Sequence, residues 1–193
     1  MRRWSVISRN IESWIARIAS CSGYLMVPLV LVTIFDVVTR KFFTLGSTGF
    51  QELEWHFHTL VFCGILAFVI QADRNVRIDI FYDQFSVRKK AWIDVLGYLL
   101  FALPFLGTIF IFALHFVVAA YTSGEGSFST QGIPHRWLIK SALLIGIALM
   151  LVQVILEIIK RINTLLGHGD TMGLAPNAGD EVSPVNEADG VKQ

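Results

Sequence analysis

Two histidines, His58 and His115, lie toward the same end of two separate apolar blocks of the sequence. Facing histidines on two helices of a membrane bundle can ligate a haem iron through their imidazole nitrogens. A histidine at a membrane interface can equally meet water, lipid headgroups or a neighbouring carbonyl. The sequence has only this one pair of histidines at matched depth. The second interpretation is favoured, so we predict no cofactor and no metal. A haem-binding membrane anchor of a redox enzyme remains the alternative.

Charged residues gather near the ends of the apolar blocks. Asp36 with Arg40, and Glu157 with Arg161, stand four residues apart on one helix face, a spacing that adds only a few tenths of a kcal/mol per pair. None falls in the middle of a block, where an ionisable group would mark an ion or proton path. Gln153 is the deepest hydrogen-bonding side chain of its block and is expected to join helices.

Catalytic patterns are not found in the sequence. There is no nucleophile with a base at a suitable spacing, no metal-ligand spacing and no phosphate loop, so we predict that the protein is not an enzyme. Cys21 and Cys63 both lie inside apolar blocks and are interpreted as small buried side chains rather than a disulfide.

The elements that hold these residues follow from composition. The chain has 193 residues, of which 54% are hydrophobic and 16% charged, and its net charge of +1 argues against nucleic-acid binding. Its apolar blocks are long enough to cross a bilayer, and backbone groups in lipid must be satisfied within helices. We therefore predict an all-α membrane protein with four transmembrane helices. The blocks run from about Ile18 to Phe35, Phe57 to Ala72, Trp92 to Tyr121 and Trp137 to Ile159.

The flanking segments differ from this membrane domain, which we place at residues 18–161. Residues 1–17 have isoleucines at helical spacing opposite charged residues, which predicts either an amphipathic helix on the inner surface or an extension of the first crossing. Residues 162–193 become rich in Gly, Asn, Asp, Glu and Pro and are expected to form a disordered cytoplasmic tail. Pro28 and Pro104 lie inside apolar blocks, where proline commonly kinks a membrane helix.

Orientation follows from the distribution of basic residues. Twelve lysines and arginines lie in the termini and in the connection between blocks two and three, against four on the other side. Basic residues favour the cytoplasmic side, so both termini are expected to be cytoplasmic.

Two connections are conspicuous. The cytoplasmic one, Asp73 to Tyr82, alternates charged and apolar residues and could simply press against anionic lipid. The opposite one runs from Glu125 to the Gly132-Ile133-Pro134 sequence before block four and could be a plain turn.

Together these segments resemble the small membrane subunit, DctQ-like, of tripartite ATP-independent periplasmic (TRAP) transporters. The resemblance rests on three places in order: Phe35 to Arg40 with Glu52, Glu54 and Trp55; Asp73 to Tyr82; and Glu125-x-Ser127 with the Gly-Ile-Pro sequence, Trp137 and Lys140. Asn75 and Ile133 depart mildly, since the family commonly has histidine and leucine there.

The resemblance implies sodium-driven uptake of an organic acid into a bacterial cell. The implied partners are a large membrane subunit, a periplasmic substrate-binding protein and membrane lipid, and the substrate and sodium sites are expected in the large subunit. Small residues are expected to mark contacts between helices, with Gly97 and Gly107 on helix three and Ser141 and Gly146 on helix four as candidates. The candidate interface or docking residues are Asp36, Arg40, Glu52, Glu54, Arg77, Asp79, Glu125, Arg136, Trp137 and Lys140.

Overall fold

The helices follow the predicted crossings. The computed structural model describes residues 2–43, 47–72, 85–127 and 132–166, and all regular structure within these ranges is helical. Four stretches of the described chain are long and apolar enough to cross a membrane, so the predicted fold class is confirmed. The elements are α1 (Arg2–Tyr24), α2 (Met26–Phe42), α3 (Thr48–Gln71), α4 (Val87–Gly97), a π-helical segment (Tyr98–Ala102), α5 (Leu103–Thr122) and α6 (Trp137–Leu165).

Several predicted features lie outside the described residues. Arg77 and Asp79, with the Asp73 to Tyr82 connection that contains them, belong to this group, as do residues 167–193 of the predicted tail. The first residues of that predicted tail are part of α6, which continues to Leu165.

The first crossing is interrupted one turn before Pro28. Helix α1 ends at Tyr24, whose carbonyl would need an amide hydrogen that a proline four residues later does not have. The Leu25 amide donates instead to the Ser22 carbonyl, three residues back, at 3.1 Å. Helix α2 then begins at Met26.

The third crossing departs from α-helical geometry one turn before Pro104. Because Pro104 cannot donate to the carbonyl four residues back, the α-helical hydrogen-bond pattern cannot continue unchanged through this point. The Leu103 amide donates to the Tyr98 carbonyl, five residues back, which is the π-helical spacing. The backbone before Pro104 thus adopts π-helical hydrogen bonding where the proline lacks an amide hydrogen.

Helix α1 packs along α3 with its second half. It contains both the predicted amphipathic segment and the beginning of the first crossing in one helix, and Ile15 is 1% exposed. Ser22 is also buried and lies directly against Gly64 of α3, where an added Cβ would collide with the serine side chain. Glycine at position 64 therefore permits the close approach of these helices.

Helix α6 is the central helix, with α3, α4 and α5 packed against it. Its Gly146 lies against Cys63 of α3, and a Cβ at this glycine would sit 2.9 Å from both the Cβ and the carbonyl oxygen of Cys63. Cys63 is buried as predicted, whereas Cys21 is exposed on α1, so the prediction that both are buried is wrong for Cys21.

Candidate functional site

Helix α3 begins at Thr48, nine residues before the predicted start of the second crossing at Phe57. The polar residues that precede the apolar block are therefore helical and have fixed positions. Glu52 lies in the second turn and is 4% exposed. His56, one turn later, places its Nδ1 2.5 Å from the Glu52 carbonyl oxygen.

The Glu52 carboxylate is the centre of the site. Oε1 accepts a hydrogen bond from the Ser127 hydroxyl and lies 2.9 Å from Nη2 of Arg136. Oε2 accepts from the Ile133 amide at 2.6 Å. A buried carboxylate is costly unless charge and hydrogen-bond donors compensate it, and here one cation and two neutral donors do so. The side chain thereby ties α3 to both sides of the connection before α6.

The backbone of this connection is closed by its own hydrogen bonds. The Arg136 amide donates to the Glu125 carbonyl at 3.1 Å, which brings the two sides of the connection together. A Cβ at Gly132 would lie 2.8 Å from Oε2 of Glu52 and closer still to the Ser127 side chain. Position 132 must therefore lack a side chain for the loop to fold onto the carboxylate. We call Glu125–Ser127 and Gly132–Arg136, as held by Glu52, the clasped loop.

A second ion pair joins the clasped loop to the start of α6. Lys140 Nζ lies 2.5 Å from Oε2 of Glu125 and 3.7 Å from the centre of the Phe116 ring on α5. The Tyr121 and Trp137 rings meet edge to face nearby, with centroids 5.5 Å apart. The end of α5, the clasped loop and the first turn of α6 thus form one polar and aromatic assembly, at what we call the loop end of the bundle.

Asp36 and Arg40 lie where α2 approaches α3. Arg40 donates to the Asp36 carboxylate, and Asp36 is 3% exposed, so this predicted pair is formed. The Gln51 carbonyl oxygen, in the amide orientation that satisfies both groups, accepts from Arg40 at 3.0 Å. Glu54 differs from these residues, because its buried Oε1 has no hydrogen-bond partner in the described part of the chain.

The structure therefore sorts the predicted site residues into groups. Those brought together by the clasped loop are Glu52, Glu125, Arg136, Trp137 and Lys140; Asp36 and Arg40 form a separate pair on α2; and Glu54 stands apart on α3.

A charged cluster at the opposite end of the bundle was not predicted. Lys160 of α6 pairs with Glu12 of α1 and lies 3.0 Å from Oε1 of Glu157, while Arg161 Nη1 lies 3.3 Å from Oδ2 of Asp94 on α4. We call these five residues the terminal cluster. Sequence spacing indicated only Glu157 with Arg161, which is its loosest contact at 4.0 Å. Glu12 and Asp94 come from distant parts of the chain, and no spacing in the sequence relates them to α6.

Gln153 was expected to join helices, but its hydrogen bond within the described part of the chain stays on its own helix. It is completely buried, and its Nε2 donates to Oε1 of Glu157 on the same helix at 3.2 Å. It therefore extends the terminal cluster toward the membrane interior. The haem alternative gains no support: His58 lines a groove between α3, α5 and α6, whereas the exposed His115 is not part of its lining.

Among the described residues, no three His, Cys, Asp or Glu side chains are grouped as metal ligands would be. The arrangement at both ends instead consists of carboxylates and cations that hold helices and a loop in place.

Comparison with known proteins gives one family. A family model described as "Tripartite ATP-independent periplasmic transporters, DctQ component" matches residues 29–164, well over half of the chain. The match includes α2 to α6 and the clasped loop almost completely. No match to a curated protein was found.

Proposed function

This chain belongs to the DctQ component family of tripartite ATP-independent periplasmic transporters, and from that premise we propose that it braces the large membrane subunit and presents the clasped loop to the periplasmic substrate-binding protein. Family membership makes it a transporter component rather than an enzyme, and a multi-pass protein of the inner membrane. The proposed system takes up an organic acid with a sodium gradient. Both termini face the cytoplasm in this proposal, and the loop end faces the periplasm.

The observation that carries the proposal is the set of contacts that hold the clasped loop. Four contacts from Glu52 and Glu125 hold one connection against the bundle. A loop that only linked α5 to α6 would not need a buried carboxylate in α3, whose burial is unfavourable without these partners. A preorganised surface, in contrast, binds a partner without the entropic cost of ordering it first.

The bracing role is supported by how the helices are exposed. Large apolar side chains cover the outer faces of α2 and of the third crossing, and Gly97 and Gly107 have open space where a Cβ would stand. In lipid, helices associate through close packing at small residues. These faces suit contact with another helical membrane protein. The two most deeply buried carboxylates of the described residues, Asp36 and Glu52, are each paired with an arginine. We propose that substrate and sodium bind in the large subunit.

The test of the bracing role is reconstitution of uptake in liposomes with a sodium gradient and the cognate binding protein. We expect uptake with both membrane subunits and none with this chain plus the binding protein alone. Uptake by this chain without the large subunit would overturn the proposal. Full uptake when this chain is omitted would overturn its necessity.

The docking role needs variants that separate the loop's charges from its fold. Glu125→Lys and Lys140→Glu each break the pair and are expected to reduce uptake. The double reversal restores an ion pair with the opposite charge pattern. If the substrate-binding protein recognises that charge pattern, the double variant should keep the loop structure but lose uptake. The reason is that interface charges control the rate of association and the register of the two partners. Recovery of uptake in the double variant would show that only the fold of the loop matters.

A further inference from the structure

A groove lies on the bundle surface between α3, α5 and α6, toward the loop end. Its volume is about 440 Å³, within the range of small-molecule sites. Phe62 of α3, Phe116 of α5 and Leu143 of α6 are among the residues that line it. The groove belongs to the part of each helix that is expected to lie in the membrane. It therefore opens toward lipid rather than toward bulk water.

The groove reaches inward as far as a close contact between α3 and α6. Gly146 meets the Cys63 backbone there, and Cys63 also belongs to the groove lining. From this contact the groove extends toward the loop end along α3 to His58, about 7–8 Å at the α-helical rise. Toward the membrane interior its lining residues, Phe62, Cys63 and Leu143, are thus apolar.

The groove is polar only at the other end. Lys140 lies there, paired with Glu125 and placed over the Phe116 ring. An ammonium group has three hydrogen-bond donors, so one carboxylate partner leaves donors for a second anion. The His58 ring is exposed, and no hydrogen bond joins it to another described residue.

We propose that this groove binds a phospholipid of the leaflet at the loop end, with one acyl chain along its wall and the headgroup phosphate held by His58 and Lys140. The groups along the groove match the parts of such a ligand. Cationic and hydrogen-bonding side chains lie near the membrane surface, where the headgroup is, and apolar side chains lie beneath them, where the acyl chain is. Water is a poor occupant of the part lined by Phe62, Phe116 and Leu143, because buried water requires polar partners. This site goes beyond the transport role and does not depend on it.

The experiment measures retained lipid. The complete complex is purified with extensive detergent washing, and native mass spectrometry counts phospholipids that remain bound. We expect one phospholipid per copy of this chain. Leu143→Trp fills the groove and should abolish its retention, whereas Ile111→Trp, on an exposed face of α5 away from the groove, should leave it unchanged. His58→Ala leaves the groove open and should weaken retention about tenfold, equivalent to one hydrogen bond of about 1.4 kcal/mol.

A second measurement identifies the occupant directly. A photoreactive benzoylphenylalanine replaces Ile139 in the groove wall, and its product after illumination is identified by mass. A phospholipid adduct supports the site. A cross-link to another protein subunit would overturn the proposal, because a partner side chain would then fill the groove. The absence of retained phospholipid in the unaltered complex, or equal loss in the Leu143→Trp and Ile111→Trp variants, would also overturn it.

Discussion

Replacement of Glu52 by glutamine is the sharpest test of the clasped loop. Glutamine has nearly the same shape, so packing is kept while the charge and one acceptor are lost. A glutamine oxygen can accept from either Ile133 or Arg136, but its NH₂ group must then face another donor, because neither of these two groups can accept. The substitution thus breaks the bond of either Ile133 or Arg136 to residue 52.

The magnitude follows from the contacts that are lost. Hydrogen bonds to a charged group contribute about 1.5–3 kcal/mol each. Glu52 makes three, from Ser127, Ile133 and Arg136, and glutamine can retain the serine bond and one other. The Arg136 side chain keeps some contact with solvent, which reduces the contribution of its hydrogen bond to the free energy that holds the loop. We expect the free energy that holds the loop to fall by about 2–3 kcal/mol, or roughly 30- to 150-fold in the equilibrium for loop opening.

Amide hydrogen exchange measures this opening. The Ile133 and Arg136 amides report on it directly, since one donates to Glu52 and the other closes the loop onto Glu125. Glu54→Gln is the matched control, because it removes a charge from the same helix half a turn away without breaking a hydrogen bond of Oε1. Exchange that is as slow in Glu52→Gln as in Glu54→Gln would refute the reasoning. The Glu52→Gln/Arg136→Gln double variant should lose less loop-closing free energy than the sum of the losses in the two single variants, as expected for residues that interact directly.

The remaining predictions concern packing, the terminal cluster and topology. Gly146→Ala should lower the thermal stability of the purified protein by about 1–3 kcal/mol through overpacking, whereas Gly107→Ala, which has open space, should not. Lys160→Met should destabilise by about 2 kcal/mol in a denaturation assay, because partly buried carboxylates lose their cation. Single cysteines at Ser86 and Ser123, in a background without the two native cysteines, should be labelled by an impermeant thiol reagent on intact cells at Ser123 but not at Ser86.

Each of these predictions has a result that contradicts it. Equal stability of the two glycine variants would mean that the helices can separate at no cost. Lys160→Met must be compared with Lys41→Met, since Lys41 is exposed on α2, and equal loss in both would remove the special role of the cluster. Labelling at Ser86 alone would reverse the topology. Ser123 is used rather than Ser127 because Ser127 donates to Glu52.

The long apolar blocks were predictable because helix formation in lipid depends on composition over about twenty residues. Local sequence also located the start of α6 at Trp137. The start of α3 was placed too late, since polar residues such as Glu52 were interpreted as an entry segment. The partners of the Glu52 carboxylate come from a loop more than seventy residues away, which local sequence does not reveal.

For the clasped loop, the sequence predicted which residues matter but not the contacts between them. Glu52 and Glu125 were singled out by a family resemblance, and Arg136 as a charged residue of the connection before α6. The sequence could not show that Glu52 and Arg136 form a pair with each other. The terminal cluster was harder still. Its contacts link α1, α4 and α6, and single-sequence periodicity contains no information on which charged faces of different helices meet.

The ion pairs at the two ends of α6 restrict how this helix can move. Arg136 and Arg161 lie about 37 Å apart along an α-helix, and each pairs with a residue of a different neighbouring helix. A slide of α6 by one turn, about 5.4 Å, would break the contacts at both ends at once and would also drive Gly146 off Cys63. Movements that keep the register of the helices, such as tilting of the whole bundle, break none of them. Any mechanical coupling through this subunit should therefore be by displacement of a stiff body rather than by one helix moving as a piston.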